Sequence, residues 1–207
     1  MKVLEIAKSY IGINSPEKFQ LMNYYNEHCY PLVPSNRKYK IKINDDWCTM
    51  FVSVVMHKAG FNDDSFPFEV SCMYMLNRFE KAGQVVKGGL SQAVTGDVVF
   101  YDWNGNGIPQ HVGIFVSQQN GQALILEGNK SNTVGYRTVA LDYSLVCAVC
   151  RPIALVEVEA GTEGEYIEQL ARGVIRGLYG TGGARKVALG DYYGRVQKRV
   201  NELLGFN

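Results

Sequence analysis

The chain has 207 residues, 46% of them hydrophobic and 20% charged, with a formal net charge of +1. This composition describes a globular protein, and its near-neutral balance argues against a whole-surface basic field built for nucleic acid. No apolar run nears the ~20 residues needed to cross a bilayer, so no membrane span is expected.

The first segment, MKVLEIAKSYIG, carries Glu5 and Lys8 inside its apolar stretch. It reads as an amphipathic helix and not as a signal-peptide core, so export by a cleaved secretory peptide is not expected. Val3, Ala7, Tyr10 and Ile11 share helical spacing and stop at Gly12. Cys48, Phe51, Val52, Val55 and Ala59 repeat that spacing and stop at Gly60. The β-branched content of this second segment suits a strand, but its length and closing glycine predict a helix. Ser71 to Lys81 predicts a third helix, closed by Gly83. After Gly96 the pattern changes to the short apolar runs VVFYDW, HVGIFVSQ, ALILEGN, YRTVAL and VCAVCRP, separated by turn residues. Asn120-Gly121 is a strong hairpin signal. Helices first and antiparallel strands afterwards predict an α+β domain.

Residues 153–165 hold four acidic residues, no Lys or Arg, and several small residues, and read as an acidic linker. Residues 166–207 carry seven Lys or Arg against three Asp or Glu. Two apolar stripes, Ile167 to Ile175 and Val196 to Leu204, with a glycine-bearing segment between them, predict a small three-helix unit. The expected organisation is therefore a body over 1–152, a linker over 153–165 and a tail over 166–207.

Five cysteines at irregular spacing argue against a disulfide framework. Cys48 follows Asn44-Asp45-Asp46-Trp47, and either aspartate is a candidate cap for the helix that starts there. A thiol in a first helical turn is biased toward thiolate, the nucleophilic form. A buried core cysteine fits the same position. Of the three histidines, His28 lies in a polar, aromatic stretch without periodic support, and His57 is expected to point away from the core. His111 opens a strand and is the candidate base for Cys48, although strand histidines are commonly structural. Glu127 ends the run ALIL and is placed to accept the second imidazole N–H. Asn129 shares its face if the strand continues, and a solvated turn explains Glu-Gly-Asn equally.

Resemblance adds to these readings. DWCTMFVSVVMHKAG resembles the nucleophile helix of the CHAP family of cysteine amidases and endopeptidases. GDVVFYDWNGNGIPQHVGIFVS resembles its histidine hairpin, LILEGNKSN its Glu-x-Asn strand, and AKSYIGINSP the opening helix and loop of many members. The order Cys, His, Glu, Asn is that family's order. The NlpC/P60 group shares the papain-like core and the Cys–His pair, and the Glu-x-Asn element favours CHAP. The resemblance spans roughly residues 1–152. It implies a papain-like domain of N-terminal helices on an antiparallel sheet that cleaves an amide bond of peptidoglycan, with Cys48, His111, Glu127 and Asn129 as its catalytic set. The tail resembles a Cpl-7-type cell-wall-binding repeat through LARGVIRG, YGTGGARK and VQKRVNELL, departing from it at Thr181-Gly182-Gly183. Tyr179, Arg185 and Gln197 are its expected wall contacts, with helix packing and surface solvation as the other reading, and Trp47 and Trp103 are candidates for the lining of a substrate groove or for the core.

Together these features imply a phage-endolysin-type hydrolase. It is expected to accumulate in the host cytoplasm and act on the wall at lysis, with bacterial peptidoglycan as partner. Self-association, or assembly with separately made tail fragments, is expected because one repeat alone binds weakly. Two other readings stay open: a papain-like cysteine hydrolase of proteins, and a non-catalytic wall- or nucleic-acid-binding protein. No cofactor is required by this chemistry. Asp102, Asn104 and Asn106 match the first half of a calcium loop, but Gly113 occupies the position of its closing acid, and a turn explains the same residues. Cys147 and Cys150 form a single CxxC, better suited to core packing than to zinc.

Overall fold

A computed structural model of the chain describes residues 2–14, 17–153, 163–175, 181–189 and 192–206. The chain divides into two compact units, Met1–Ile153 and Ala154–Asn207. Most of the expected linker, and Tyr179, lie outside the described residues.

The first unit opens with α1 (Lys2–Lys8), which buries Val3 and Ala7. It is shorter than the periodicity predicts. Ile11 is exposed, and the Gly12 N–H leaves helical pairing to bond Val134 O at 3.0 Å. Next comes α2 (Lys18–Tyr24), which continues as a π turn over Tyr25–Cys29. Leu21, Tyr25 and Cys29, four residues apart, are its buried side.

Helix α3 (Cys48–Ala59) ends at Gly60, whose φ of 104° is the left-handed conformation that closes a helix and suits glycine. Every residue from Cys48 to Met56 is buried. The helix packs on the sheet, on α1, on α2 and on the π turn, so it carries no polar face through that stretch. Such wrapping explains how a segment rich in valine becomes a helix, because surrounding apolar surface overrides a weak local propensity. Helix α4 (Cys72–Lys81) buries Cys72, Met75, Leu76 and Phe79.

Five antiparallel strands follow: β1 (Val98–Tyr101), β2 (His111–Gln119), β3 (Gln122–Lys130), β4 (Thr133–Ala140) and β5 (Val146–Cys150). Their order in the sheet is β4-β3-β2-β1-β5, with the last strand returning to the free edge of β1. Asn120 and Gly121, both at positive φ, join β2 to β3 in a tight hairpin. One apolar cluster holds Val99, Tyr101, Phe115, Ile125 and Val149 together with Leu90 and Ala93. Alternate residues point to the other face, where Phe100 meets Phe79 of α4 edge to face at 6.1 Å. Gly128 fixes the seat of α3 on β3, because a Cβ there would lie 2.4 Å from Cβ of Phe51.

The second unit contains α5 (Glu163–Ile175), α6 (Gly182–Leu189) and α7 (Tyr193–Leu203). Leu170, Ala171, Val174, Leu189, Val196 and Val200 make its core. Glu168 pairs with both Arg172 and Arg199, and Arg199 also with Glu202, tying α5 to α7 at the surface.

Candidate active site

The site forms where the first turn of α3 meets the ends of β2 and β3. Trp47 is the cap residue of α3 and supplies no side-chain cap. Neither aspartate caps the helix. Asp45 accepts the Lys42 N–H at 2.8 Å and the Tyr39 hydroxyl at 2.9 Å. Asp46 accepts Asn129 Nδ2 at 3.0 Å. The first turn of α3 is therefore without a side-chain cap, and Cys48 stands at the positive end of the helix dipole.

Cys48 is 4% exposed. Its pKa is held well below that of an ordinary thiol. A hydrogen bond from Cys72 is the largest cause; burial works against it, and hydrogen bonding and charge from His111, then Thr49, add to the lowering. Burial alone would lower the pKa of His111, but hydrogen bonds to Cys48 and Glu127 and their negative charge push it up to about 9. Opposite shifts on the two partners describe a thiolate–imidazolium pair.

Glu127 is fully buried and lies 3.0 Å from Nε2 of His111. Burial favours its neutral form, but His111 and Arg137 outweigh burial and lower its pKa. An ionised carboxylate only accepts hydrogen bonds, so Nε2 carries the proton and Nδ1 is left for the thiol. Arg137 Nε bridges both oxygens of Glu127, at 2.7 and 3.0 Å.

Sheet register explains how these side chains meet. Tyr101 pairs with His111, and Gly113 pairs with Glu127, which on its other side pairs with Gly135. A Cβ at Gly113 would lie 2.8 Å from Cγ of Glu127 and 2.6 Å from Cγ2 of Ile125. The missing side chain is the space across which the carboxylate reaches the imidazole.

Asn129 departs from the expected geometry. The pairing of β3 with β4 shifts between Glu127 and Lys130, and Asn129 adopts φ 58°. This bulge breaks the alternation on which a shared face depends, and the Asn129 amide turns to Asp46, two residues before Cys48. Trp47 is 1% exposed, with Nε1 directed at Asn132 Oδ1 at 3.4 Å, so its ring is not presented to solvent. Trp103 is half-buried, stacks on Tyr101 at 4.6 Å and tilts toward His111 at 6.0 Å, with the Arg137 guanidinium 5.1 Å from its ring. His57 does not point away freely: its Nδ1 lies 2.9 Å from the Tyr24 hydroxyl, because α2 covers that side of α3.

The loop after β1 closes on itself. Asp102 accepts the backbone N–H groups of Asn104 at 3.2 Å and Gly107 at 2.7 Å, and Asn106 accepts that of Ile108 at 3.0 Å. Among the described residues no group of three or more His, Cys, Asp or Glu is placed to hold a metal ion. In the tail, Arg185 Nη1 donates to Gln197 Oε1 at 3.0 Å, so two of the expected wall contacts touch each other. Arg137 and Cys72, in contact with Glu127 and Cys48, are the neighbours sequence reasoning missed. The strand alternation of YRTVAL, counted against Glu127, is the signal for the arginine. A second thiol at a predicted helix start is the signal for Cys72.

A thiol at a helix N-terminus, with a histidine and a glutamate paired on an antiparallel sheet, is the arrangement of the papain-like fold. Residues 23–129 match the CHAP domain, just over half of the 207-residue chain, and the chain belongs to that family. Residues 168–204 match the CW_7 repeat. No curated protein matches the chain. CHAP domains are cysteine- and histidine-dependent amidohydrolases or peptidases, and a CHAP domain joined to a cell-wall-binding repeat makes a peptidoglycan hydrolase. No helix among the described residues is long and apolar enough to cross a membrane.

Proposed function

We propose that Cys48 cleaves an amide bond of peptidoglycan through an acyl-enzyme, with His111 as the proton carrier and Glu127 as its orienting acid. The observation that supports this reading is the buried Glu127 contact at Nε2 of His111, which occupies one ring nitrogen and leaves the other for proton transfer. The thiolate attacks the carbonyl carbon, and the oxyanion forms beside the first-turn amides of α3, the Cys48 N–H among them. His111 then gives its proton to the departing amine as the carbon–nitrogen bond breaks. In the second half, His111 takes a proton from water, which attacks the thioester and releases Cys48. Glu127 stays ionised throughout, held so by Arg137. Asn129 acts by holding Asp46 and the loop leading to Cys48, and Trp103 lines the approach to His111. No step needs a metal.

The C-terminal unit is the wall anchor in this reading, with Tyr179, Arg185 and Gln197 as contacts. The whole chain then works as an endolysin, released to its substrate at lysis. Copies that self-associate would present several repeats to one wall.

Cys48→Ala should lose wall lysis by several orders of magnitude, on the order of 10⁶-fold by analogy with removal of a triad nucleophile, while still sedimenting with purified walls. Lysis at the wild-type rate by this variant removes the assignment. Mass spectrometry of fragments from walls of defined structure then names the bond. A new alanine amino terminus on the stem peptide marks an amidase, and any other new amino terminus marks an endopeptidase.

A further inference from the structure

The proposed reaction uses one thiol, but the site contains two. Cys72 is the first residue of α4, and its sulfur stands 3.7 Å from that of Cys48, the first residue of α3. Thr49 Oγ1 lies 3.1 Å from the Cys72 sulfur and 3.7 Å from that of Cys48. Cys72 is 8% exposed. Each sulfur thus sits in the first turn of its own helix, and the two turns face each other. The remaining cysteines sit elsewhere: Cys29 contacts Ser53 O, and Cys147 contacts Phe100 O. Cys150, at the end of β5, pairs with Val98.

The two sulfurs differ in charge. The proton they share stays with Cys72, whose pKa is raised by its hydrogen bond to Cys48 and by burial. A reactive thiolate with a protonated thiol at van der Waals distance is the arrangement in which oxidation of the first is resolved by the second. Substrate must reach Cys48 for the enzyme to work, so a small oxidant reaches it as well.

We propose that Cys48 and Cys72 are a modification site: on meeting a hydroperoxide they join in a reversible disulfide that switches the nucleophile off and shields it from irreversible oxidation. The Cys48 thiolate attacks the outer oxygen of the peroxide. The O–O bond breaks, the leaving alkoxide or hydroxide takes up a proton, and Cys48 becomes a sulfenic acid. The Cys72 sulfur then attacks the Cys48 sulfur as its thiol proton departs. The S–O bond breaks and water leaves. Two thiols have been oxidised by two electrons, and one hydroperoxide has been reduced to one alcohol, or water, and one water. Side-chain rotation must bring the sulfurs from 3.7 Å to about 2.05 Å, the length of a disulfide bond. A dithiol reductant returns the two electrons and reopens the site.

The proposal concerns the same thiol as the proposed reaction, but its mass readout stands whether or not Cys48 cleaves walls. The test exposes the reduced full-length protein to excess hydrogen peroxide at neutral pH and blocks remaining thiols with N-ethylmaleimide. Intact mass and peptide mapping follow, with lysis of purified walls measured before and after dithiothreitol. The expected product has lost two hydrogens, carries a Cys48–Cys72 cross-linked peptide, and regains most of its lytic rate on reduction. Cys72→Ser, and Cys72→Ala as a second variant, should instead gain two oxygens at Cys48 and recover a fraction of their own starting rate about tenfold smaller than the wild type does. Wild-type protein that gains oxygens on Cys48 without the cross-link, or that links any other pair, overturns the proposal. So does a Cys72 variant that recovers as fully as the wild type.

Discussion

Gly113→Ala tests how the sheet positions the proposed carboxylate. The added methyl would lie 2.8 Å from Cγ of Glu127, 2.6 Å from Cγ2 of Ile125 and 3.2 Å from the Leu126 carbonyl oxygen. The nearest contacts must open by about 0.6–0.8 Å to reach ordinary van der Waals distance, and the peptide oxygen is the least able to move. Glu127 is therefore expected to swing away from His111, lengthening a bond that is 3.0 Å. Misplacement on this scale costs on the order of 10- to 100-fold in rate, and overpacking costs about 1–3 kcal/mol in stability. His111 also loses one of the causes that raise its pKa to about 9, so activity should fail at lower pH on the alkaline side. The matched control is Gly135→Ala, on the other side of Glu127, where a Cβ meets nothing within 4 Å. Turbidity loss of purified walls across pH, with urea midpoints for both variants, reads all three effects. A Gly113→Ala enzyme with the wild-type rate and pH profile would refute the reasoning.

Glu127→Gln keeps the shape of the side chain and removes its charge. The protonated form of His111 then loses support, and the alkaline limb of kcat/KM should move down from about 9; an unmoved limb would separate Glu127 from the imidazole. Gly128→Ala drives a methyl to 2.4 Å from Phe51, and the unfolding midpoint should fall by the equivalent of about 1–3 kcal/mol, with unchanged stability showing that α3 seats elsewhere. In the tail, Arg185→Ala and Gln197→Ala should each weaken co-sedimentation with walls several-fold without loss of helical circular dichroism, and full binding would take both residues out of the contact surface.

The sheet was legible because each strand carries its own apolar run and Asn120-Gly121 announces a turn that only positive φ satisfies. The helix at Cys48 was legible through Gly60, against its own β-branched composition. Helix α2 was not, since its buried set of Leu21, Tyr25 and Cys29 is spread among polar neighbours and ends in a π turn that departs from the usual period. Missing that helix also misplaces His57, whose polar-looking side is the one α2 covers. Local pattern brought out Cys48 and His111, each the first residue of its element, and Glu127 at the close of the apolar run of β3. The local signals for Arg137 and Cys72 gain meaning through register and helix packing, quantities that depend on residues far away in the chain. Asn129 was read on the premise of a continuous strand, and one inserted residue changed its partner.

The Asn129–Asp46 bond joins residues 83 apart in sequence, and the Trp47–Asn132 contact joins residues 85 apart. These are the stitches that hold the nucleophile turn to the end of β3, and neither can form until β3 has been synthesised and docked. A chain emerging from the ribosome therefore carries Cys48 for much of its synthesis without His111 and Glu127 held beside it. In the proposed mechanism the sulfur gains its reactivity only with the folded sheet, which would make labelling of this one thiol a clock for folding. Pulse alkylation of nascent or refolding chains should show slow labelling of Cys48 first and fast labelling only after the sheet has closed.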